Sequence, residues 1–337
     1  MSKYLKTRQE GRVLWVELVN PPVNFLTTDM LAELFSVVKR IRNDDSVRVL
    51  VLTGGLDDTF IMHFSIPELA RISADSEKMR MDRLVKTRPG RALMRWATTL
   101  SGRLMDLSPR FEDMALQSAR RLRERGGTLY LWLNMTRLYL AIERLDKITI
   151  AAVNGPVNGG GVELSACFDF RFMAGDAGFT LGQPEVLVGI IPGGGSTQRL
   201  PRLIGKAKSL EWMLRGNQLT PQEAKRLGLL TDVFKKKDFS RKVRQFAELM
   251  AKRPPVAVSA IKEAVRRGTE TDLLDGLSVE MVESVRCFAS GDAKKALKSY
   301  MALIRERVEV DPDKRIEPDE LFDIMENARF VDGFDGK

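Results

Sequence analysis

Residues 147–171 read KITIAAVNGPVNGGGVELSACFDFR, and this segment is the most informative part of the sequence for the fold. The segment 148–154 is apolar and rich in β-branched residues, as in a buried strand. It runs into a glycine-rich turn over 155–161 and then directly into a predicted helix over 162–167. Glycines let the backbone approach a ligand closely, and a first helical turn has unpaired N–H donors. The pattern therefore predicts a site for an anionic oxygen at this turn.

Two carboxylates accompany the turn. Glu163 lies three residues beyond Gly160, on the same face of the predicted helix. Glu185 follows in the sequence GQPE and precedes a second glycine cluster at 193–195. Two carboxylates in a partly apolar pocket can have their pKa values pushed apart, so that one donates and the other accepts a proton. Taken separately, three glycines also suit a tight turn, and a glutamate near a helix start also suits the helix dipole.

Other kinds of site are disfavoured. The chain has no GxGxxG, GxxxxGK[ST] or GxSxG motif, and His63 is its only histidine. Cys167 and Cys287 form no CxxC, which argues against a disulfide framework or a zinc site and favours a reducing cytoplasm. The sequence predicts no membrane span, and the first eight residues have no apolar signal core.

The rest of the chain predicts an α/β layer fold with three segments. Strands are predicted over 12–19 and 47–53, with a helix between them over 28–42 and Thr28 as its N-cap. A core over 1–205 carries a basic helical insertion at 71–127. A helical subdomain follows over 206–305, and an acidic tail over 306–337.

The insertion holds much of the positive charge. It contains 14 Lys and Arg against 7 Asp and Glu, which is +7 of the total of +9. Broken helical periodicity predicts an excursion without a core of its own. The insertion is either a solvated helical insert or a segment that binds a polyanionic ligand or an anionic surface. Six methionines either fill the core or line a flexible lid: Met62, Met79, Met81, Met94, Met105 and Met114.

The motifs over 147–171, 182–185 and 191–200 resemble the enoyl-CoA hydratase/isomerase (crotonase) superfamily. Asn20-Pro-Pro-Val-Asn24 and the segment 219–229 extend the resemblance, which covers 12–70 and 130–265. It implies a ClpP-like spiral of ββα units with C-terminal helices that mediate a homotrimer or a dimer of trimers. It also implies an acyl-CoA substrate whose thioester oxygen binds the backbone N–H groups of Phe64 and Gly160. Coenzyme A enters as part of the substrate, and no metal or other cofactor is expected.

Glutamates at both 163 and 185 resemble the hydratases of that superfamily. Their resemblance implies that Glu163 activates water and Glu185 delivers a proton, giving a 2-enoyl-CoA hydratase. Met62, His63 and Phe64 replace the small residues usual there, which implies a pocket that is narrower or shaped for an unusual acyl group. The candidate pocket residues are Met62, His63, Pro192 and Gly193. His63 is either a substrate contact or a packed ring.

Two other functions stay open at this stage. One is another crotonase reaction, such as isomerisation, lyase chemistry or carbon–carbon hydrolysis, on an unusual acyl or ketone substrate. The other is a basic binding protein, although nucleic acid is disfavoured because its motifs are absent. Pro67 stands where hydratases often place a lysine near the coenzyme A phosphates, and arginines of the insertion could replace that contact.

Overall fold

A computed structural model of the protein describes residues 2–78, 81–121, 127–309 and 315–336. The insertion's residues 122–126 and the tail's residues 310–314 lie outside the described residues, as does Met79. The strands are β1 (Leu5–Glu10), β2 (Val13–Leu18), β3 (Val49–Gly54), β4 (Ile148–Val153), β5 (Val157–Asn158), β6 (Phe170–Ala174), β7 (Leu181–Gly182), β8 (Gln218–Leu219) and β9 (Asp232–Phe234).

The helices begin with α1 (Thr28–Ile41), and five more precede β4: α2 (Ile66–Lys78), α3 (Met81–Lys86), α4 (Arg88–Leu107), α5 (Pro109–Arg121) and α6 (Gly127–Glu143). After β5 come α7 (Gly160–Ser165), a 3₁₀ turn (Glu185–Val188), α8 (Ser196–Ile204), α9 (Lys206–Arg215), α10 (Pro221–Arg226), α11 (Lys236–Met250), α12 (Pro255–Gly268), α13 (Leu273–Ala289), α14 (Gly291–Arg307) and α15 (Pro318–Glu326).

A six-stranded sheet forms the centre of the fold, in the order β1-β2-β3-β4-β6-β9. All neighbours pair parallel except β1 and β2. All six residues of β4 are buried, which explains its unbroken apolar sequence. A second sheet has three strands in the order β5-β7-β8, and β5 lies within the glycine-rich turn. One apolar core joins the main sheet to α1 and α6.

The N-cap of α1 differs from the prediction. Thr27, rather than Thr28, caps the helix, and its hydroxyl accepts a hydrogen bond from the N–H of Met30 at 3.1 Å. The Thr28 hydroxyl donates instead to Glu68 at 2.7 Å. With two adjacent threonines, the extended backbone of the first decides which one caps. The strand β1 was also missed, because its pattern is mostly exposed.

The insertion is more regular than its sequence predicts. The expectation of broken periodicity was wrong for α4, which runs for 20 residues. Pro89 lies in its first turn, where a missing N–H costs nothing, and Thr87 caps the helix. A second, small apolar cluster forms between the insertion and α6 around Met105, Ala119, Tyr130 and Leu133. The insertion therefore shares a core with α6.

The division at 205 stays a prediction, but the segment after it also contributes to the central sheet. β9 pairs with β6 at the sheet edge, and Phe246 of α11 packs edge-on against Phe172 with ring centroids 4.9 Å apart. The helices α13 and α14 replace the single predicted stretch over 270–305. No helix among the described residues is long and apolar enough to cross a membrane.

Candidate active site

The glycine-rich turn leads from β4 and β5 into α7. Gly159 precedes the helix with a φ of +51°, a conformation that favours glycine. A Cβ at position 159 would lie 2.8 Å from Oε1 of Glu185, so the absent side chain also makes room for that carboxylate. α7 begins two residues earlier than predicted, at Gly160. Within the described residues, the Gly160 N–H has no hydrogen-bond acceptor.

Phe64 lies beside this N–H. A parallel bridge to Leu26 holds its segment, because the N–H of Ser65 donates to the Leu26 carbonyl at 2.8 Å. The same bridge turns the Phe64 N–H away from Leu26, and no acceptor among the described residues meets it. A Cβ at Gly160 would lie 3.6 Å from the Phe64 Cβ. The structure thus brings together the two backbone positions that the sequence analysis selected as donors.

Glu163 is buried within the fold, on the inner side of α7. Its Oε1 accepts two backbone hydrogen bonds, from Gly194 at 2.7 Å and from Ser196 at 3.2 Å. Burial raises the pKa of Glu163 to about 7, and the Ser196 N–H opposes that rise. The carboxylate of Glu185 adds to the increase of the Glu163 pKa.

Glu185 opens the 3₁₀ turn and is half-buried. Burial raises the pKa of Glu185 above the usual value for a glutamate. Because the two carboxyl groups are electrostatically coupled and both resist ionisation, they suit a shared acid/base role at neutral pH.

A fully buried amide connects the two carboxyl groups. With its nitrogen facing Glu185, the Gln183 side chain donates at 2.8 Å and 3.1 Å to the carboxylate oxygens, and its oxygen accepts from the Ser196 hydroxyl at 2.6 Å. The backbone of Ser196 in turn donates to Glu163. Gln183, Gly194 and Ser196 were given no individual role by sequence reasoning. The only signal was their position inside the two short motifs that flank Glu185.

The predicted pocket residues lie around this centre. The Nδ1 atom of His63 lies 2.7 Å from the Phe64 carbonyl oxygen, and its ring packs on Phe25 at 4.7 Å. The sulfur of Met62 lies 4.0 Å from the Asn158 amide nitrogen. These contacts favour packing for His63 over direct substrate contact.

Pro192 is buried and Gly193 is exposed, and neither forms a hydrogen bond with the carboxylates. The contact with Glu163 comes one residue further along, from Gly194. Of the remaining described methionines, Met105 is buried and Met114 is 56% exposed, so they do not form one uniform set.

The geometry agrees with a comparison of the chain with known protein families. The model of the enoyl-CoA hydratase/isomerase family matches residues 8–84 and 117–306. The chain belongs to this family. The match leaves out 85–116, which includes the whole of α4, so this part of the insertion is an addition to the family's common pattern.

Individual family members agree with this assignment. The crotonyl-CoA hydratase of Syntrophomonas wolfei is 29% identical over 86% of this chain and 91% of its own length. The short-chain-enoyl-CoA hydratase of Clostridium acetobutylicum is also 29% identical, over 87% and 92%. The crystal structure of an enoyl-CoA hydratase from Bacillus anthracis superposes with a TM-score of 0.70 at 26% identity, covering 89% of this chain and 96% of that one. The predicted crotonase fold is confirmed.

Proposed function

We propose that this protein is an enoyl-CoA hydratase that adds water across the 2,3 double bond of an acyl-CoA thioester. The observation that carries the proposal is the convergence of Glu163 and Glu185 beside two backbone N–H groups without acceptors among the described residues. Acid, base and oxyanion donors are the three elements that this addition requires.

The oxyanion donors act on the thioester carbonyl. The N–H groups of Phe64 and Gly160 bind its oxygen, and they bind more strongly as negative charge develops there. Each such donor typically lowers the barrier by ~2.7–4 kcal/mol. Both donors are backbone groups held by packed elements, so they need little reorganisation during the reaction.

The carboxyl groups move the protons. Ionised Glu163 takes a proton from water while the water oxygen bonds to C3 and the double-bond electrons shift toward the thioester. The resulting enolate takes a proton at C2 from protonated Glu185, which gives the 3-hydroxyacyl product. The pair is then restored by moving one proton from Glu163 back to Glu185. Because water addition transfers no net electrons, the proposed reaction needs no redox cofactor.

A short enoyl chain is the proposed first substrate. The Phe64 side chain lies against Gly160 with its Cδ2 atom 3.8 Å from a Cβ placed there, which restricts the space beside the donors. Two of the relatives are named for crotonyl-CoA and short-chain enoyl-CoA. We therefore propose crotonyl-CoA as the substrate to try first.

The decisive experiment is to follow loss of crotonyl-CoA absorbance with wild type, Glu163→Gln and Glu185→Gln. Each variant should lower kcat by roughly 10²–10⁴-fold, the usual range for a general acid or base. Glu211→Gln is the matched control, since Glu211 lies on the surface in ion pairs with Lys208 and Arg215. If both active-site variants equal wild type, the assigned roles are wrong.

A parallel assay with a 3-enoyl-CoA separates hydration from double-bond isomerisation. A wild type that shifts the double bond of this substrate but leaves crotonyl-CoA unchanged would be an isomerase. In that case one carboxyl group carries the proton between two carbons, and only one of the two Gln variants should be inactive.

The proposal includes a homotrimer or a dimer of trimers in a reducing cytoplasm. Support for assembly comes from α12 and α13, which expose large apolar side chains at Ile261 (64%), Leu273 (78%) and Phe288 (65%). Support for the compartment comes from Cys167 and Cys287, which are both free thiols. Light scattering coupled to size exclusion measures the assembly, and a monomeric mass would contradict it.

A further inference from the structure

The loop that holds Glu163 is itself held from its other side. Gly194 donates its N–H to Glu163, and its carbonyl accepts from Nη1 of Arg199 at 3.0 Å. Both peptide groups that flank Gly194 are therefore fixed, one by the carboxylate and one by the guanidinium. A side chain at the next residue, Gly195, would collide with Arg199 Nη1.

Arg199 is fixed in turn by Glu143 at the end of α6. Its Nε donates to Oε1 at 2.6 Å and its Nη2 donates to Oε2 at 2.9 Å, which is a bidentate pair. The side chains are only 17% and 29% exposed. The Tyr139 ring, also from α6, lies 5.5 Å from the guanidinium carbon. Three of the five guanidinium N–H groups are thus used to connect α6 to the loop.

We propose that Arg199, held by Glu143, is a positioning residue that sets the orientation and the charge of Glu163. This inference rests on the proposed function for its kinetic consequences only. The guanidinium fixes the loop whose N–H groups hold the carboxylate, and its charge favours the ionised form that activates water. Glu143 orients the guanidinium and partly offsets that charge.

The surroundings of Glu163 permit this electrostatic role. The titratable and charged groups that face it are Glu185 on the 3₁₀ turn, Arg199 on α8, Tyr139 on α6 and Cys167, which follows α7. Burial raises the pKa of Tyr139 and of Cys167 well above their usual values, so both are neutral. Burial alone would lower the pKa of Arg199, but the bonds to Glu143 outweigh it and the pKa is raised. Arg199 is therefore the positive charge facing Glu163 among these groups.

Removing the positive charge of Arg199 and removing the negative charge of Glu143 should shift the pKa of Glu163 in opposite directions. Arg199→Gln removes the positive charge and leaves Glu143, so Glu163 should ionise at higher pH. Glu143→Gln leaves an uncompensated Arg199, so Glu163 should ionise at lower pH. A purely structural role for the pair predicts no such reversal of sign.

The experiment uses the full chain and two readouts. The first is the pH dependence of kcat/KM with crotonyl-CoA, and the second is the Glu163 carboxyl titration in the substrate-free protein, followed by ¹³C NMR with Glu163→Gln to assign the signal. Arg199→Gln should also lower kcat by ~10–100-fold with little change in KM, because misplacement of a catalytic group acts mainly on the reaction step. Arg199→Lys keeps the positive charge but cannot form the bidentate pair with Glu143. The pKa of Glu163 should therefore stay at its wild-type value, and part of kcat should be recovered.

Arg202→Gln is the matched control, since Arg202 lies on the same helix with an exposed side chain paired to Glu270. If the pKa of Glu163 shifts in the same direction in Arg199→Gln and Glu143→Gln, or shifts in neither, the positioning role is wrong. Absence of any wild-type turnover would contradict the proposed function instead, and the NMR titration would still test Arg199. Thermal unfolding of each variant separates these results from loss of fold.

Discussion

The loops around Glu163 and the helix α4 differ in how fully their side chains are partnered. Around Glu163, a connected set of hydrogen bonds runs from Glu185 through Gln183 and Ser196 to Glu163. Along α4, Leu93, Trp96 and Leu107 are 56%, 63% and 81% exposed. Arg88, Arg95 and Arg103 on the same helix form no ion pair with any described residue.

The difference separates two kinds of constraint. In the loops, Gly194 and Ser196 are held against Glu163 by hydrogen bonds within this chain, so a methyl group added at Gly194 should disturb the chemistry. On α4, few neighbours constrain the side chains, so substitutions should affect binding of other molecules or stability by small amounts. The same type of substitution in both regions therefore tests the comparison directly.

Among the substitutions that compare these two regions, Gly194→Ala should have the largest effect. A Cβ at this position would lie 2.5 Å from Oε2 of Glu163 and 3.1 Å from the Met135 sulfur, so the carboxylate must move. Displacement of a catalytic group by about 1 Å typically costs ~10²-fold in rate. We expect kcat for crotonyl-CoA to fall about 100-fold while thermal unfolding changes little.

Gly193→Ala makes this experiment more specific. The nearest atom to a Cβ at 193 is the Ile191 carbonyl oxygen at 3.9 Å, so the chain itself has room for the methyl group. Any loss in that variant then reports contact with substrate and should appear in KM. A kcat for Gly194→Ala within threefold of wild type would refute the tight arrangement around Glu163.

The next effect concerns pH. Burial raises the pKa of Glu163 to about 7, and the base must be ionised to activate water. Below pH 7, kcat/KM should therefore fall about tenfold for each pH unit. Burial also raises the pKa of Glu185, and because this group must be protonated to act as the acid, kcat/KM should also decline at the pH where it ionises.

A pH series of kcat/KM checks this, since that ratio reports groups of the free enzyme. The two limbs belong to the coupled pair and not to either residue alone. A profile that stays flat from pH 5 to pH 8 would show that Glu163 is already ionised throughout, contrary to its buried position.

The same contrast explains which features the sequence could predict. Apolar periodicity predicted β2, β3, β4, β6 and most of the helices, and Gly160 and Glu163 lie within one helical turn, so their spacing fixes their relation. Phe64 was selected only through the resemblance to a family, because its position beside Gly160 depends on a bridge between distant segments. Arg199 and Glu143 are 56 residues apart, and nothing local in the sequence relates them.

The regularity of α4 was not predictable for a different reason. Pro89 and Gly90 usually interrupt a helix, and only their location in the first turn, behind the cap at Thr87, makes them compatible with one. The burial of each methionine also depends on packing, because Met105 packs against α6 while Met114 is exposed.

A smaller effect is expected on the arginines of α4. If Arg88, Arg91 and Arg95 contact the coenzyme A phosphates, changing all three to Gln should raise KM roughly fivefold, since each exposed ion pair contributes ~0.2–1 kcal/mol. The increase should disappear at high salt, where such contacts are screened, and kcat should stay unchanged. An unchanged KM at low salt would assign these arginines to solvent or to another partner. RNA binding that is lost in the variant would favour the binding-protein alternative.

The smallest effect is expected for Gly102→Ala on α4, the counterpart of the change at Gly194. A Cβ at 102 meets no atom within 4 Å, and the residue lies inside a helix. Alanine is more favourable than glycine in a helix interior by roughly 0.5–1 kcal/mol, so the variant should be slightly more resistant to urea with unchanged kcat. Lower stability, or a change in assembly size, would mean that another molecule packs on this face of α4. The exposed leucines and Trp96 would then belong to an interface, and the contrast between the two regions would be one between contacts within the chain and contacts outside it.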